Sequence, residues 1–183
     1  PYKVFSNIPF NITSEVIKKL TQSENPPNEA YLVLQEEAAE KFMGKPYVYK
    51  NSLMAILLKP WFDFEIIYKF KSSDFYPQPN VKIIFLRIKR KTDSVIDLKN
   101  RKVYEDFITY IFNASKPLIL KNLTPSKLDF EEWIKIFNDF LNRSGRNGQD
   151  LVRGSYAKML KQQEKLEKIH RTRVDKDWRK FRA

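Results

Sequence analysis

The chain has 183 residues, 42% hydrophobic, 14% aromatic and 31% charged, with a net charge of +12 and no cysteine. Length and apolar content suit one or two globular domains with a real core and exclude a disordered polyelectrolyte. The missing cysteines exclude disulfides and thiolate metal sites, and the longest apolar runs, such as Leu53 to Leu58, are too short to span a bilayer.

In chain order, Lys3 to Ser6 reads as a short strand ending at an Asn-Ile-Pro-Phe turn. Thr13 or Ser14 is the expected cap of a following helix, with Glu15 in its first turn and Val16, Ile17 and Leu20 as its apolar stripe. Glu24 to Asn28, with two prolines, breaks that helix. Ala30 to Leu34 is a continuous apolar run, as expected of a strand buried on both faces. Glu36 to Met43 has helical composition, and Asn51 is the expected start of another helix ending near Pro60. Strand, helix, strand, helix in this order predicts parallel pairing with crossover helices.

The pattern then changes. Phe62 to Phe70 alternates with period two, and Val81 to Arg90 is a second strand-like run. The stretch between them holds Pro77 and Pro79 and is too long for a tight turn, so an antiparallel pair with a sizeable loop is expected. Beyond about residue 92 the strand signals vanish. Val103, Phe107, Ile108, Ile111 and Phe112 fit one helix face; Phe130, Trp133, Ile134, Phe137 and Leu141 fit another, with Asp129 as its cap. Ser144 to Gly148 reads as a flexible break, and Ser155 to His170 as a basic helix.

The positive charge is uneven. Residues 142–183 carry 13 basic and 5 acidic side chains, against 21 and 17 in residues 1–141. An excess placed this way suits a polyanion, nucleic acid first and an anionic membrane surface second, although a solubilising tail has the same composition.

Asn7-Ile8-Pro9-Phe10 is the segment with the most chemical content. An adenine N6 amino group is a poor nucleophile because its lone pair is delocalised into the ring. Two acceptors converging on its N–H bonds draw the nitrogen toward sp3 geometry and aim the lone pair at an electrophilic methyl group. An asparagine oxygen and a nearby backbone carbonyl are such a pair. Proline stiffens the turn, and the aromatic that follows can stack on the base. The tetrapeptide directly follows a strand, where ligands sit in open α/β sheets. Taken by itself it reads equally as an ordinary Asn/Pro turn.

Val4 to Ser14 resembles the catalytic motif of the ribosomal RNA adenine dimethylases, which comprise the erythromycin-resistance (Erm) methylases and the small-subunit dimethylase. Three further stretches resemble the same family in order and spacing: Tyr31 to Ala39, Asn51-Ser52-Leu53, and the Phe75-Tyr76-Pro77-Gln78-Pro79-Asn80-Val81 loop, which leads into a strand ending in Arg87, Lys89 and Arg90.

The resemblance implies the C-terminal half of a Rossmann-like S-adenosylmethionine-dependent methyltransferase sheet, ending in an antiparallel strand pair, plus a small all-helical C-terminal domain. The corresponding divisions are 1–91 for the catalytic part, 92–142 for a helical RNA-binding part and 143–183 for a basic tail. The resemblance also implies that Asn7 and the Ile8 carbonyl hold the target amino group and that Phe10 and Phe75 stack on the adenine. Asn7 would lie beside the methionine end of S-adenosyl-L-methionine. Ile8 resembles the Erm branch, which implies 23S ribosomal RNA as the partner and macrolide-lincosamide-streptogramin resistance as the outcome. A monomer acting in the cytoplasm, away from membranes, is expected.

Lys89, Arg90 and Lys91, with Arg171, Arg173, Arg179, Lys180 and Arg182, are the expected phosphate contacts. Trp178 and Phe181 interleave with the latter and suit base stacking. The family's glycine-rich cofactor loop and its two acidic cofactor contacts are not among these residues. The chain opens on an apolar strand, so a further N-terminal portion is expected, and the chain alone is expected to bind S-adenosylmethionine poorly. Three alternatives stay open: a non-catalytic RNA-binding protein that keeps the fold, a small-subunit ribosomal RNA dimethylase, and a DNA adenine methyltransferase. His170, the lone histidine, reads as a solvated tail residue.

Overall fold

The structure, a computed structural model, describes residues 1–44, 51–114 and 124–165. Four strands form one mixed sheet in the order β1-β2-β4-β3. β1 (Lys3–Asn7) pairs in parallel with β2 (Glu29–Gln35), with Asn7 opposite Val33. α1 (Thr13–Gln22) makes the crossover between them. β4 (Ile83–Arg90) inserts antiparallel between β2 and β3 (Phe62–Lys69). α2 (Glu36–Met43) and α3 (Leu53–Leu58) lie between β2 and β3 in sequence.

Alternation along the strands sends one set of side chains into the core. Ala30, Leu32 and Leu34 of β2 and Ile84, Leu86 and Ile88 of β4 are buried on the helix-covered face. The expectation that β2 is buried on both faces is corrected: Tyr31 and Val33 are only half-buried. On that side Phe5 stacks on Tyr31 with ring centroids 4.7 Å apart, and Tyr31 meets Phe85 at 5.8 Å. Aromatic rings cover one another there, where helices cover the other face.

The same open face carries an ion-pair row. Glu29 accepts from Lys3 Nζ at 2.6 Å and from the Arg87 guanidinium, which also lies 3.4 Å from Glu65. Lys3 and then Arg87 hold the Glu29 carboxyl down at about 2. The unfolded value lies near 4.5, so this contribution to stability is complete above that pH and is lost as the pH falls toward 2. Glu29→Gln therefore flattens the acid limb of a melting-temperature profile between pH 4.5 and 2. Parallel profiles for the two proteins would show that the row contributes nothing to acid stability.

α4 (Arg101–Asn113), α5 (Phe130–Arg143), α6 (Gly145–Val152) and α7 (Ser155–Lys165) follow the sheet among the described residues. Asp129 caps α5 as expected: its carboxylate accepts from Glu132 N at 2.8 Å, and the Glu132 side chain accepts from Asp129 N at 2.8 Å. Trp133, Phe137 and Phe140 are the buried residues of α5. Together with Tyr104, Phe107, Ile108 and Ile111 of α4, they join the sheet residues in one continuous apolar cluster. Burial pushes the Tyr104 hydroxyl far up, so it stays a neutral donor to the Ile56 carbonyl at 2.9 Å.

Local expectations are corrected at three points. α1 is entered through a 3-10 turn at Phe10–Ile12, and the Thr13 hydroxyl donates back to the Phe10 carbonyl at 3.3 Å instead of capping the helix. Ser52, not Asn51, caps α3, accepting from Ala55 N at 3.2 Å; Asn51 is buried and donates to the Leu128 carbonyl at 2.5 Å. The Ser144 to Gly148 stretch is no flexible break but a helix-to-helix corner. Gly145 takes φ +50°, and a Cβ on Gly148 would collide with the Ser144 side chain. The missing side chains let α6 start directly on the end of α5.

Candidate active site

The Asn7-Ile8-Pro9-Phe10 segment leaves the sheet at the carboxyl end of β1. Ile8 anchors it: the side chain is buried, and the amide donates to the Val33 carbonyl at 3.1 Å. The Pro9 carbonyl accepts from Ile12 N at 3.1 Å, which closes the 3-10 turn. With the backbone held on both sides, Asn7 and Phe10 point outward and are exposed. Neither the Asn7 carboxamide nor the Ile8 carbonyl has a hydrogen-bond partner among the described residues. Two acceptors one residue apart, both unengaged and next to a half-exposed phenyl ring, can receive an exocyclic amine and stack its base.

Phe75 stands at the same end of the sheet. Its loop is closed at the base by Phe70 N donating to the Ile83 carbonyl at 3.0 Å, and Ile83 pairs with Gln35 at the carboxyl end of β2. Phe75 is half-buried, edge-on to Phe70 with centroids 5.2 Å apart. The ring is thus anchored by packing on one side.

The basic cluster at the end of β4 does not join this end. Because β4 runs antiparallel, Lys89 lies beside Glu29, which lies beside Lys3 at the start of β1. That is four residues, about 13 Å, along β1 from Asn7. Lys91 is also committed to the fold: it donates to the Lys59 carbonyl at 2.8 Å, lies 3.3 Å from Asp63 and sits over the Phe130 ring. Lys89 and Arg90 are exposed and line a cleft with Lys3 and Asn28. Arg171, Arg173, Arg179, Lys180 and Arg182, along with Trp178 and Phe181, lie outside the described residues.

The C-terminal helix is placed by contacts that the residue pattern did not announce. The Asp106 carboxylate, buried on α4, accepts from Gly154 N at 2.9 Å and Tyr156 N at 3.0 Å, satisfying amides at the start of α7. Gln22 donates to the Tyr156 hydroxyl at 2.5 Å, and Lys18 to Gln163 Oε1 at 3.1 Å. These two pairings run in opposite senses along the two helices, so α7 is antiparallel to α1. It climbs toward the end of the sheet that bears Phe10.

Among the described residues, no group of acidic or histidine side chains is arranged to hold a metal ion, and no helix is long and apolar enough to cross a membrane. Asn7 suits the reacting end of a methyl donor. The four glycines serve helix ends and corners: Gly44 after α2, Gly145 and Gly148 between α5 and α6, and Gly154 before α7. None sits in a strand-to-helix loop that could cradle the rest of a nucleoside cofactor.

A mixed sheet of this order, with an asparagine-bearing turn at a strand's carboxyl end and helices packed on one face, matches part of a Rossmann-like fold. It superposes on a crystal structure of the 23S rRNA methyltransferase ErmE with a TM-score of 0.64 at 19% identity, covering 75% of this chain and 65% of that one. A dimethyladenosine transferase from Plasmodium falciparum gives 0.58 at 16% identity, covering 78% and 68%. Residues 1–139 match the family model for ribosomal RNA adenine dimethylases, and the chain belongs to that family. An rRNA adenine N-6-methyltransferase of Limosilactobacillus reuteri is 30% identical in a 151-residue alignment that covers 76% of this chain and 59% of the relative. A ribosomal RNA small subunit methyltransferase A of Francisella tularensis is 29% identical over 121 residues, 66% and 46%. The chain therefore spans about half the length of these curated relatives.

Proposed function

We propose that this chain is the substrate side of an S-adenosyl-L-methionine-dependent methyltransferase acting on the N6 amino group of an adenine in ribosomal RNA. The observation that carries this reading is the pair of unengaged acceptors at the exposed Asn7 side chain and the Ile8 carbonyl, fixed by the Ile8–Val33 hydrogen bond beside the exposed Phe10 ring. The Asn7 oxygen and the Ile8 carbonyl accept the two N–H bonds of the amine and turn its lone pair outward. Phe10 stacks on one face of the adenine and Phe75 covers the other. When bound, the cofactor supplies a sulfonium-activated methyl group. No ionised base is needed, since the N–H becomes acidic once the nitrogen carries the methyl.

Residues 1–91 carry the chemistry in this reading, and 92–142 with the basic 143–183 grip RNA. The 23S RNA is the assigned target and macrolide-lincosamide-streptogramin resistance the consequence. Support comes from Ile8 in the tetrapeptide. Primer extension along both ribosomal RNAs, from cells with and without the gene, tests it. A new stop at a 23S adenine is expected. A stop only in 16S RNA moves the target to the small subunit, and no stop in either sinks the ribosomal assignment.

The tail's part is tested by stopping the chain after Lys165. Cutting at residue 142 would be uninformative, because Val152 and Met159 are buried and their loss would disturb the core. Residues 166–183 contain seven basic and three acidic side chains. Their removal should lower RNA affinity and reduce the slope of log K against log salt by several units. An unchanged slope would assign the tail no role in RNA binding.

A further inference from the structure

We propose that the 71–82 loop carries a second nucleotide subsite, for the RNA residue adjoining the target adenine, with Tyr76 as its stacking platform and Lys71 and Lys82 as its phosphate contacts. This deepens the reading above and rests on it. Tyr76 is 101% exposed and makes no ring contact or hydrogen bond among the described residues. The other exposed aromatics among the described residues are engaged: the Tyr2 hydroxyl donates to the Asn25 carbonyl at 2.9 Å, Phe5 stacks on Tyr31, Tyr68 packs edge-on to Phe70 at 5.0 Å, and Phe10 belongs to the proposed adenine clamp. An aromatic ring wholly in water gives up its burial and keeps only its capacity to meet something from outside.

The loop that presents Tyr76 is held in shape. Lys71 N donates to Asp74 Oδ2 at 2.9 Å, Asp74 N to the Lys71 carbonyl at 3.0 Å, and Phe75 N to the Ser72 carbonyl at 3.3 Å. Phe75 leans on Phe70, and Pro77 and Pro79 fix their own φ angles. Little conformational freedom is left to lose when a base settles on the ring.

Beside the loop opens a cleft of about 330 Å³ lined by Phe70, Lys71, Phe75, Asn80 and Lys82 among others, which is within the size range of small-ligand sites. Its rim is cationic. The Lys71 ammonium makes no ion pair among the described residues, the Asp74 carboxylate being held by the Lys71 backbone amide. The Lys82 side chain is 88% exposed and stays 4.0 Å from Glu36, whose closer partner is Lys69 at 2.6 Å. An aromatic platform and two lysines beside a half-buried phenyl ring are what a single-stranded nucleotide takes: stacking for the base and charge for the phosphate. Drawing one adenine out of an RNA strand unstacks its neighbour, and the Tyr76 ring replaces the stacking lost.

The test uses the full 183-residue chain and a short fluorescein-labelled oligoadenylate, followed by fluorescence anisotropy over a salt series. Tyr76→Ala should weaken binding about five- to a hundredfold at every salt concentration, without changing the salt slope. Tyr76→Phe should bind as the parent does. Lys71→Gln with Lys82→Gln should flatten the slope by about 1.4, the value for two phosphate contacts on a single strand. All three side chains face solvent, so melting temperatures should not move. Tyr76→Ala binding within twofold of the parent, or Tyr76→Phe losing as much as Tyr76→Ala, overturns the subsite. A parent chain that does not bind the oligoadenylate at all overturns the RNA reading itself, a result distinct from the other two.

Discussion

Replacing Asn7 with alanine lowers the rate of methyl transfer about a hundred- to a thousandfold and leaves RNA affinity unchanged, in a protein that carries this chain together with a methyl-donor site. The magnitude is that of removing one preorganised hydrogen-bonding group from a reacting centre. The split between rate and affinity follows from where Asn7 sits. Its side chain is exposed and takes part in no hydrogen bond of the fold, so truncation leaves Ile8 anchored to Val33 and the turn intact. Many phosphate contacts set RNA affinity, and one amide acceptor among them is negligible. The acceptor pair matters only when the amine begins to pyramidalise, which is a transition-state interaction and shows in the chemical step.

Two further substitutions separate geometry from charge. Asn7→Gln keeps the carboxamide but moves it by one methylene; displacement of about 1 Å at a reacting centre is enough for a loss of about a hundredfold. Asn7→Asp keeps an acceptor in place and adds a negative charge, so it should retain more activity than Asn7→Ala. Single-turnover transfer measured beside equilibrium RNA binding distinguishes these outcomes. Full activity in Asn7→Ala would remove the acceptor-pair mechanism and leave the tetrapeptide an ordinary turn. Equal losses in affinity and rate would make Asn7 an RNA-binding residue with no part in the chemistry.

Local signals in the sequence placed much of the candidate site at one end of the sheet. Asn7 to Phe10 lies between a strand and a helix as the residue pattern implied, because an apolar strand, a proline turn and an amphipathic stripe are all encoded within about twenty residues. Phe75 reaches the same end of the sheet because its loop joins two strands whose period-two alternation is equally local. What escaped the sequence depends on pairing between distant segments. The insertion of β4 between β2 and β3 reverses its direction beside β2, and this places Lys89 by Glu29 at the end away from Asn7. A run of basic residues gives no sign of which end of a sheet it will occupy. Asp106 is similar: a lone carboxylate on an apolar helix face reads as a solvated residue, yet it is buried because the amides of Gly154 and Tyr156 arrive from 48 and 50 residues away. The corner at Gly148 was hidden for another reason. Glycine encodes both freedom and close approach, and only the neighbouring Ser144 decides between them.

Replacing Phe137 with alanine should cost about 3–5 kcal/mol, the range for removing a buried phenylalanine from a packed core. For a chain of this length that lowers the melting temperature by about 6–20 °C, at about 2–4 °C per kcal/mol. Phe137 is fully buried, meets Tyr104 edge-on at 5.0 Å and lies 5.6 Å from Phe107. Those two belong to α4, and Tyr104 in turn contacts Trp61 at 5.7 Å and donates to the Ile56 carbonyl. Phe137 is therefore one step from the residues that line the sheet, and the cavity left by its ring cannot close without moving α4. Phe137→Leu keeps most of the volume and should lose less than half as much. Because the apolar cluster runs unbroken from Ile8 to Val152, the loss should appear as one transition shared by far-ultraviolet and near-ultraviolet signals. Two separated transitions, with the sheet melting at the parent temperature, would mean that the helices fold as an independent unit, and a shift below about 2 °C would mean that Phe137 lies outside the cooperative core. A single lowered transition has a further consequence for the chemistry. Ile8, which holds the acceptor pair in place, is part of the same cluster, so the geometry of the proposed adenine clamp depends on helical packing more than a hundred residues away in sequence.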